Sequence, residues 1–69
     1  MQSRLARTLL DLKLSDASKL SGISAKSLWA FEAGRSQLIR ANHEALQRTY
    51  ERMGVEFLEG DGIKRRQDV

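Results

Sequence analysis

The sequence predicts a mainly α fold, a small four-helix domain followed by a C-terminal β-strand or hairpin. Three observations lead there. Between residues 3 and 53 the apolar residues recur at intervals of three and four, the spacing of amphipathic helices. Glycines at 22, 34 and 54 cut that pattern into segments, and glycine takes the left-handed conformation in which helices commonly end. After Gly54 the period falls to two in Val55-Glu56-Phe57-Leu58. Glu59-Gly60-Asp61-Gly62 is then a turn signal, from which Ile63 to Arg65 can return as a second strand.

The first helix is expected from Ser3 to about Leu12, with Leu5, Leu9 and Leu12 as its inward stripe and Arg4, Arg7 and Asp11 on another face. Lys13 marks the corner. The second helix runs from about Leu14 to Ser21 and reverses at Gly22. Ile23 fills the gap between the second and third helices. Ser24 caps the third, because its hydroxyl can accept a hydrogen bond from an orphan amide of the first turn. Leu28 and Phe31, three apart, face inward, and Gly34 stops the helix. The sequence RSQLIR, Arg35 to Arg40, is a polar loop with an arginine at each end. The fourth helix is expected to start near Ala41 or Asn42, with Asn42 as its N-cap. Leu46, Thr49, Tyr50 and Met53 line one face of it, Glu44 and Arg48 stand four apart as a weakly favourable pair, and Gly54 closes it. The tail RRQDV is expected to fray.

Sixty-nine residues make one small domain. Such a chain buries only ~60% of the surface its unfolded form exposes, so a partner subunit would add stability. There is no cysteine, hence no disulfide framework and no thiolate metal site. No apolar run approaches the ~18–20 residues of a membrane span. The opening MQSRLARTLL has neither the long apolar core nor the cleavage site of a secretory signal. A cytoplasmic protein without a membrane partner is the expectation. The formal net charge is +3, and it is unevenly spread. Residues 1–40 hold seven basic and three acidic groups, a net of +4, whereas residues 41–69 hold five and six, a net of −1. The positive excess falls on the half that contains the two short helices around Gly22, as a phosphate-facing surface requires.

The segment LSDASKLSGISAKSLWAFEAG, Leu14 to Gly34, has the spacing of a helix-turn-helix. It resembles the DNA-binding motif of the Cro and lambda-repressor type, the XRE family. The residues that carry the resemblance are Leu14, Asp16, Ala17, Gly22, Ile23, Ser24, Leu28, Phe31, Glu32 and Gly34. It extends outward through ARTLLDL (Ala6 to Leu12) and ANHEALQRTYERMGVEF (Ala41 to Phe57), most of the chain. Ser18, four before the turn glycine, stands where such proteins usually carry alanine, and its hydroxyl needs a partner. Lys13 occupies the N-cap site of the second helix, and Leu14 replaces a common polar phosphate contact there. The resemblance implies a small four-helix, repressor-like domain over residues 1–54 that binds DNA. Residues 55–69 would form a strand or hairpin and tail used for dimerisation.

In such a domain the second helix lies across the DNA backbone while the N-terminal part of the third enters the major groove. The base-reading positions are then Ala25, Lys26, Trp29 and Ala30. Lys26 can donate to guanine acceptors or a phosphate, and Ala25 can touch a thymine methyl. Trp29 can pack on a sugar or thymine methyl while its indole N–H reaches a phosphate, or else its ring packs edge-on against the second helix. Ser24, Ser27, Lys13, Ser36 and Gln37 are assigned to phosphates. The resemblance gives Arg35 and Arg40 the same role, with simple surface charges as the alternative. Arg7, Gly22, Leu28, Phe31, Glu32 and Gly34 are structural. Glu32 sits at the negative end of the third helix, where an acid calls for a cation, and relatives with this pattern place Arg7 beside it.

One His, no Cys and no convincing carboxylate pair argue against catalysis. His43 opens a helix among polar neighbours and reads as an exposed or packed side chain. No metal, cofactor or small-molecule ligand is expected. The expected function is sequence-specific binding of double-stranded DNA at a palindromic operator as a homodimer, chiefly as a repressor. The alternative is an antitoxin or adaptor in which the domain also binds a protein partner. For the dimer, Met53, Val55, Phe57, Leu58 and Ile63 are the expected interface. A competing arrangement folds Phe57 onto Leu5 and Leu9 and makes dimer contacts from the fourth helix through Arg48, Arg52 and Met53.

Overall fold

Residues in the left-handed backbone region divide the chain: Asp11 (φ 55°), Gly22 (φ 80°), Gly34 (φ 75°) and Gly54 (φ 104°). In the computed structural model, which describes residues 1–58 and 62–65, they separate α1 (Ser3–Leu10), α2 (Leu14–Ser21), α3 (Ala25–Glu32), α4 (Arg40–Arg52) and β1 (Val55–Phe57). The last element is β2 (Ile63–Arg65). The chain is mainly helical, with a small antiparallel hairpin at its C-terminal end. Residues 59–61 of the expected turn and 66–69 of the expected frayed tail lie outside the described residues.

Sequence and structure agree most closely around Gly22. Its amide closes α2 on the Ser18 carbonyl at 2.9 Å, and Ser24 Oγ accepts from Ser27 N at 3.1 Å to cap α3. The Ser18 hydroxyl finds its partner in the Ile23 carbonyl, which ties α2 to the residue after the turn. At the start of α2 the Lys13 amide donates to Asp16 Oδ2 at 3.0 Å. The lysine side chain has no acceptor with which to return the bond.

The core consists of Ala6, Ala17, Ile23, Leu28, Leu46, Tyr50 and Val55, with Leu10, Leu12, Phe31, Phe57 and Ile63 among those packed against it. Three expectations are corrected here. α1 ends at Leu10, and its inward face carries Ser3, Ala6 and Leu10, while Leu5 is 48% exposed. The leucine spacing misleads because that face is used for close approach at Ala6 and for hydrogen bonding at Ser3. α4 begins at Arg40 with Ile39 as N-cap, a turn earlier than Asn42 would set it, and no side chain caps it. Arg40 is thereby placed four before Glu44 and pairs with it at 3.4 Å, in place of the expected Glu44 and Arg48 pair.

The third correction concerns the hairpin. Its register is Val55 with Arg65, Glu56 with Lys64 and Phe57 with Ile63. Period two therefore puts Val55, Phe57 and Ile63 on one face, and that face packs on the chain's own helices. Val55 is 2% exposed, and the Phe57 ring lies 6.4 Å from that of Tyr50. Val55 is core and cannot serve as interface, and Phe57 and Ile63 are largely committed within the chain. Met53 and Leu58 remain exposed. The other face of the hairpin is polar, with Glu56 and Lys64 paired at 3.6 Å.

Candidate nucleic-acid interface

A buried network fixes α3 against α1 and α4. Arg7 grips Glu32 through two hydrogen bonds, Nε to Oε2 at 2.9 Å and Nη2 to Oε1 at 2.6 Å. A third guanidinium donor, Nη1, holds the Leu12 carbonyl at 3.1 Å beyond the end of α1. Ser3 Oγ donates to Glu32 Oε2 at 2.7 Å and lies 2.7 Å from the Tyr50 hydroxyl. A hydroxyl has one hydrogen, and the carboxylate can only accept, so Tyr50 is the donor to Ser3. The chain of donation runs from α4 through α1 to the last residue of α3.

The Glu32 side chain is 3% exposed. Burial pushes its pKa up, but the hydrogen bonds from Arg7 and Ser3, with the charges of Arg7 and Arg4, together hold the carboxyl below its usual range. The hydrogen bond to Glu32 correspondingly raises Arg7 against the effect of its own burial. Burial likewise raises Tyr50, keeping the phenol neutral and able to donate. Among the described residues no buried side-chain nitrogen or oxygen lacks a hydrogen-bond partner.

With Glu32 turned inward, the outer surface of α3 is left without an acid. Residues 17–43 contain Lys19, Lys26, Arg35 and Arg40, and Glu32 is the only carboxylate among them. Ser24, Ala25, Lys26, Ser27 and Trp29 are all exposed and Ala30 is half-buried. Leu28 is fully buried and Phe31 packs against the core, edge-on to His43 at 6.1 Å and 85°. The expected base-reading residues therefore share the solvent side of one helix.

The loop after α3 brings a contact that sequence spacing could not show. Gly34 turns the chain back, and the amides of Arg35 and Ser36 both reach the Ala30 carbonyl, at 2.9 and 3.3 Å. The Arg35 guanidinium consequently lies over the Trp29 ring, 5.3 Å from its centroid. Trp29 is 51% exposed, so its ring stands out from the helix beside this cation. Ser36 and Gln37 are exposed on the same loop. Arg40 opens α4 with its side chain almost wholly in solvent, and a surface pair such as that with Glu44 is worth little and readily exchanged. Lys13 is exposed at the corner before α2.

This surface can donate hydrogen bonds to anions and make one large apolar contact. A separate cleft of about 130 Å³ lies between the N-terminus, α4 and the hairpin, lined in part by Met1, His43, Gln47, Phe57 and Leu58. It is smaller than the ~300–1,000 Å³ usual for small-molecule sites. Among the described residues no three of His, Cys, Asp and Glu gather as a metal site would require. No described helix is long and apolar enough to cross a membrane. Comparison with protein-family models and with curated proteins finds no match to the chain.

Proposed function

We propose that the protein is a sequence-specific, double-stranded DNA-binding regulator of transcription of the helix-turn-helix, Cro and lambda-repressor type, without catalytic activity. It acts in the cytoplasm as a homodimer and represses by occupying a promoter. The observation that carries this reading is the outer face of α3. One exposed helical surface presents Lys26 and Trp29 among small residues, free of carboxylates because Glu32 is held inside by Arg7 and Ser3.

The chemistry of duplex DNA matches that surface on each count. A helix must approach base edges closely, which Ala25, Ser27 and Ala30 allow. An exposed acid would be repelled by phosphate, and the face has none. Lys26, near the N-terminal end of α3, is placed for guanine acceptors, and Arg35 and Arg40 flank the helix as phosphate ligands. A two-fold dimer would set two such helices at half-sites ~34 Å apart, or a multiple of that, on a palindromic operator. Given the packing of Val55, Phe57 and Ile63 within the chain, the exposed Met53 and Leu58 and the free edges of the hairpin are the surfaces left for the dimer.

Selection of bound duplexes from a random pool by the full chain, read by sequencing, tests this directly. Enrichment of an inverted repeat supports the proposal. Recovery of no preferred sequence, with no salt-dependent binding to duplex, would remove it.

A further inference from the structure

The solvent face of α3 carries one large, mostly apolar group. Trp29 is the chain's single tryptophan, half exposed, on a helix otherwise offering small or charged side chains to solvent. Its flank is covered by the Arg35 guanidinium at 5.3 Å. A ring that served packing alone would belong with Leu28 and Phe31 on the buried side. Here it is held outside, by a residue from the following loop.

We infer that Trp29, buttressed by Arg35, is a specificity-determining residue that reads the 5-methyl group of thymine in the major groove. The inference rests on the duplex-DNA reading proposed above. Each base pair offers hydrogen-bonding atoms in the major groove, but the only apolar group there is the thymine methyl. The indole has a single N–H donor, and the rest of its surface is apolar. Ala25 and Lys26 precede it by one turn of α3, Ala33 follows it as the helix's C-cap, and the two exposed alanines leave room for a base edge to approach. The guanidinium, attracted to the ring face, holds the indole in one orientation before DNA arrives. That lowers the ordering cost of binding. Arg35 also keeps N–H donors for a phosphate, so one residue both positions the reader and anchors it to the backbone.

The test uses the duplex that the full chain itself selects. Each thymine is replaced singly by uracil, which removes only the methyl, and affinity is measured by fluorescence anisotropy of labelled DNA. For the unmodified protein one thymine in each half-site should show a roughly fourfold loss, the burial of one methyl group, and the other thymines should show none from this contact. Trp29→Ala should bind thymine and uracil duplexes equally at that position, with the salt dependence intact. Arg35→Lys keeps the charge but loses the planar stacked group, and should shrink the thymine preference while leaving the salt slope unchanged. Far-UV circular dichroism confirms that each variant is folded, and the uracil comparison on the unmodified protein needs no variant. Equal affinity for all uracil and thymine duplexes, with sequence selectivity retained, overturns this inference and leaves the DNA-binding reading standing. Survival of the preference in Trp29→Ala also overturns it. Tighter binding to single strands than to duplex would make Trp29 a base-stacking platform and overturn it. Absence of any salt-dependent duplex binding overturns both readings.

Discussion

Removing Arg7 should cost more than its contacts are worth, because of what it leaves behind. In Arg7→Ala the Glu32 carboxylate, 3% exposed, keeps the Ser3 hydroxyl at 2.7 Å and a distant Arg4 at 4.0 Å. It loses both guanidinium bonds. Breaking a buried pair from one side costs about 3–5 kcal/mol. A domain of this length has a total stability on the order of 3–10 kcal/mol, so the variant should be largely unfolded under mild conditions. Glu32→Ala should cost less, about 2–3 kcal/mol, since Arg7 is nearer solvent and retains the Leu12 carbonyl. The double variant leaves neither charge stranded and should fall short of the sum of the singles by about 2 kcal/mol. Urea denaturation followed by far-UV circular dichroism supplies all four corners of the cycle. Additivity to within about 0.5 kcal/mol would refute the reasoning. The same pair sets the acid limb of stability. Glu32 has a folded pKa below its unfolded value, so its contribution is full above the unfolded value of about 4.3 and is lost as pH falls through the folded pKa. Glu32→Gln should flatten that limb. Tyr50 works in the opposite sense. Its raised pKa makes its contribution full below the unfolded value of about 10, and lost as pH rises through the folded one.

Arg40→Ala should weaken binding to all duplexes alike and reduce the log–log salt slope by about 0.9. Arg35→Ala should reduce the slope by the same amount and also shrink the thymine preference, because it uncovers the Trp29 ring, whereas Lys26→Ala should relax one base position at a cost of ~1–3 kcal/mol. Equal losses for Lys26→Ala on cognate and random DNA would make it a phosphate contact instead. A Cβ at Gly22 would meet no heavy atom within 4 Å, so Gly22→Ala should carry only the left-handed backbone penalty of about 1–2 kcal/mol; a much larger loss in thermal or urea unfolding would point to a clash the structure does not contain. Phe57→Ala should lower the stability of the single chain by about 1–3 kcal/mol through its contact with Tyr50, while Leu58→Ser should weaken self-association without that loss. Sedimentation velocity and denaturation, run side by side, separate the two, and an unchanged dissociation constant for Leu58→Ser would remove Leu58 from the interface.

What was legible in the sequence was local. Gly22 with Ser24 marks the turn between α2 and α3 because each acts on its immediate neighbours, one through backbone freedom and the other through a hydroxyl three residues from its donor. The features that local pattern does not show depend on tertiary geometry. The buried side of α1 follows Ser3, Ala6 and Leu10 because Glu32 and Tyr50 meet it there, and no periodicity of leucines reports a polar partner. Asp11 in the left-handed region ends α1 early without a glycine to announce it. Val55 is core and not interface; alternation shows which residues share a face of a strand but not what covers that face. Arg35 over Trp29 depends on how the chain turns after Gly34. The two residues stand six apart, on either side of a helix end, and no helical spacing relates them.

The central claim is that the outer face of α3, cleared of acid by the Arg7–Glu32 pair, binds duplex DNA. Its most direct test is the affinity of the full chain for its selected duplex and for a scrambled one as salt rises from low to physiological concentration. If Lys13, Arg35 and Arg40 each hold a phosphate, the log–log slope should be about −2.7 per protomer. The selected duplex should bind on the order of a thousandfold or more tighter than the scrambled one. A slope near zero, or equal affinity for the two duplexes, would contradict it.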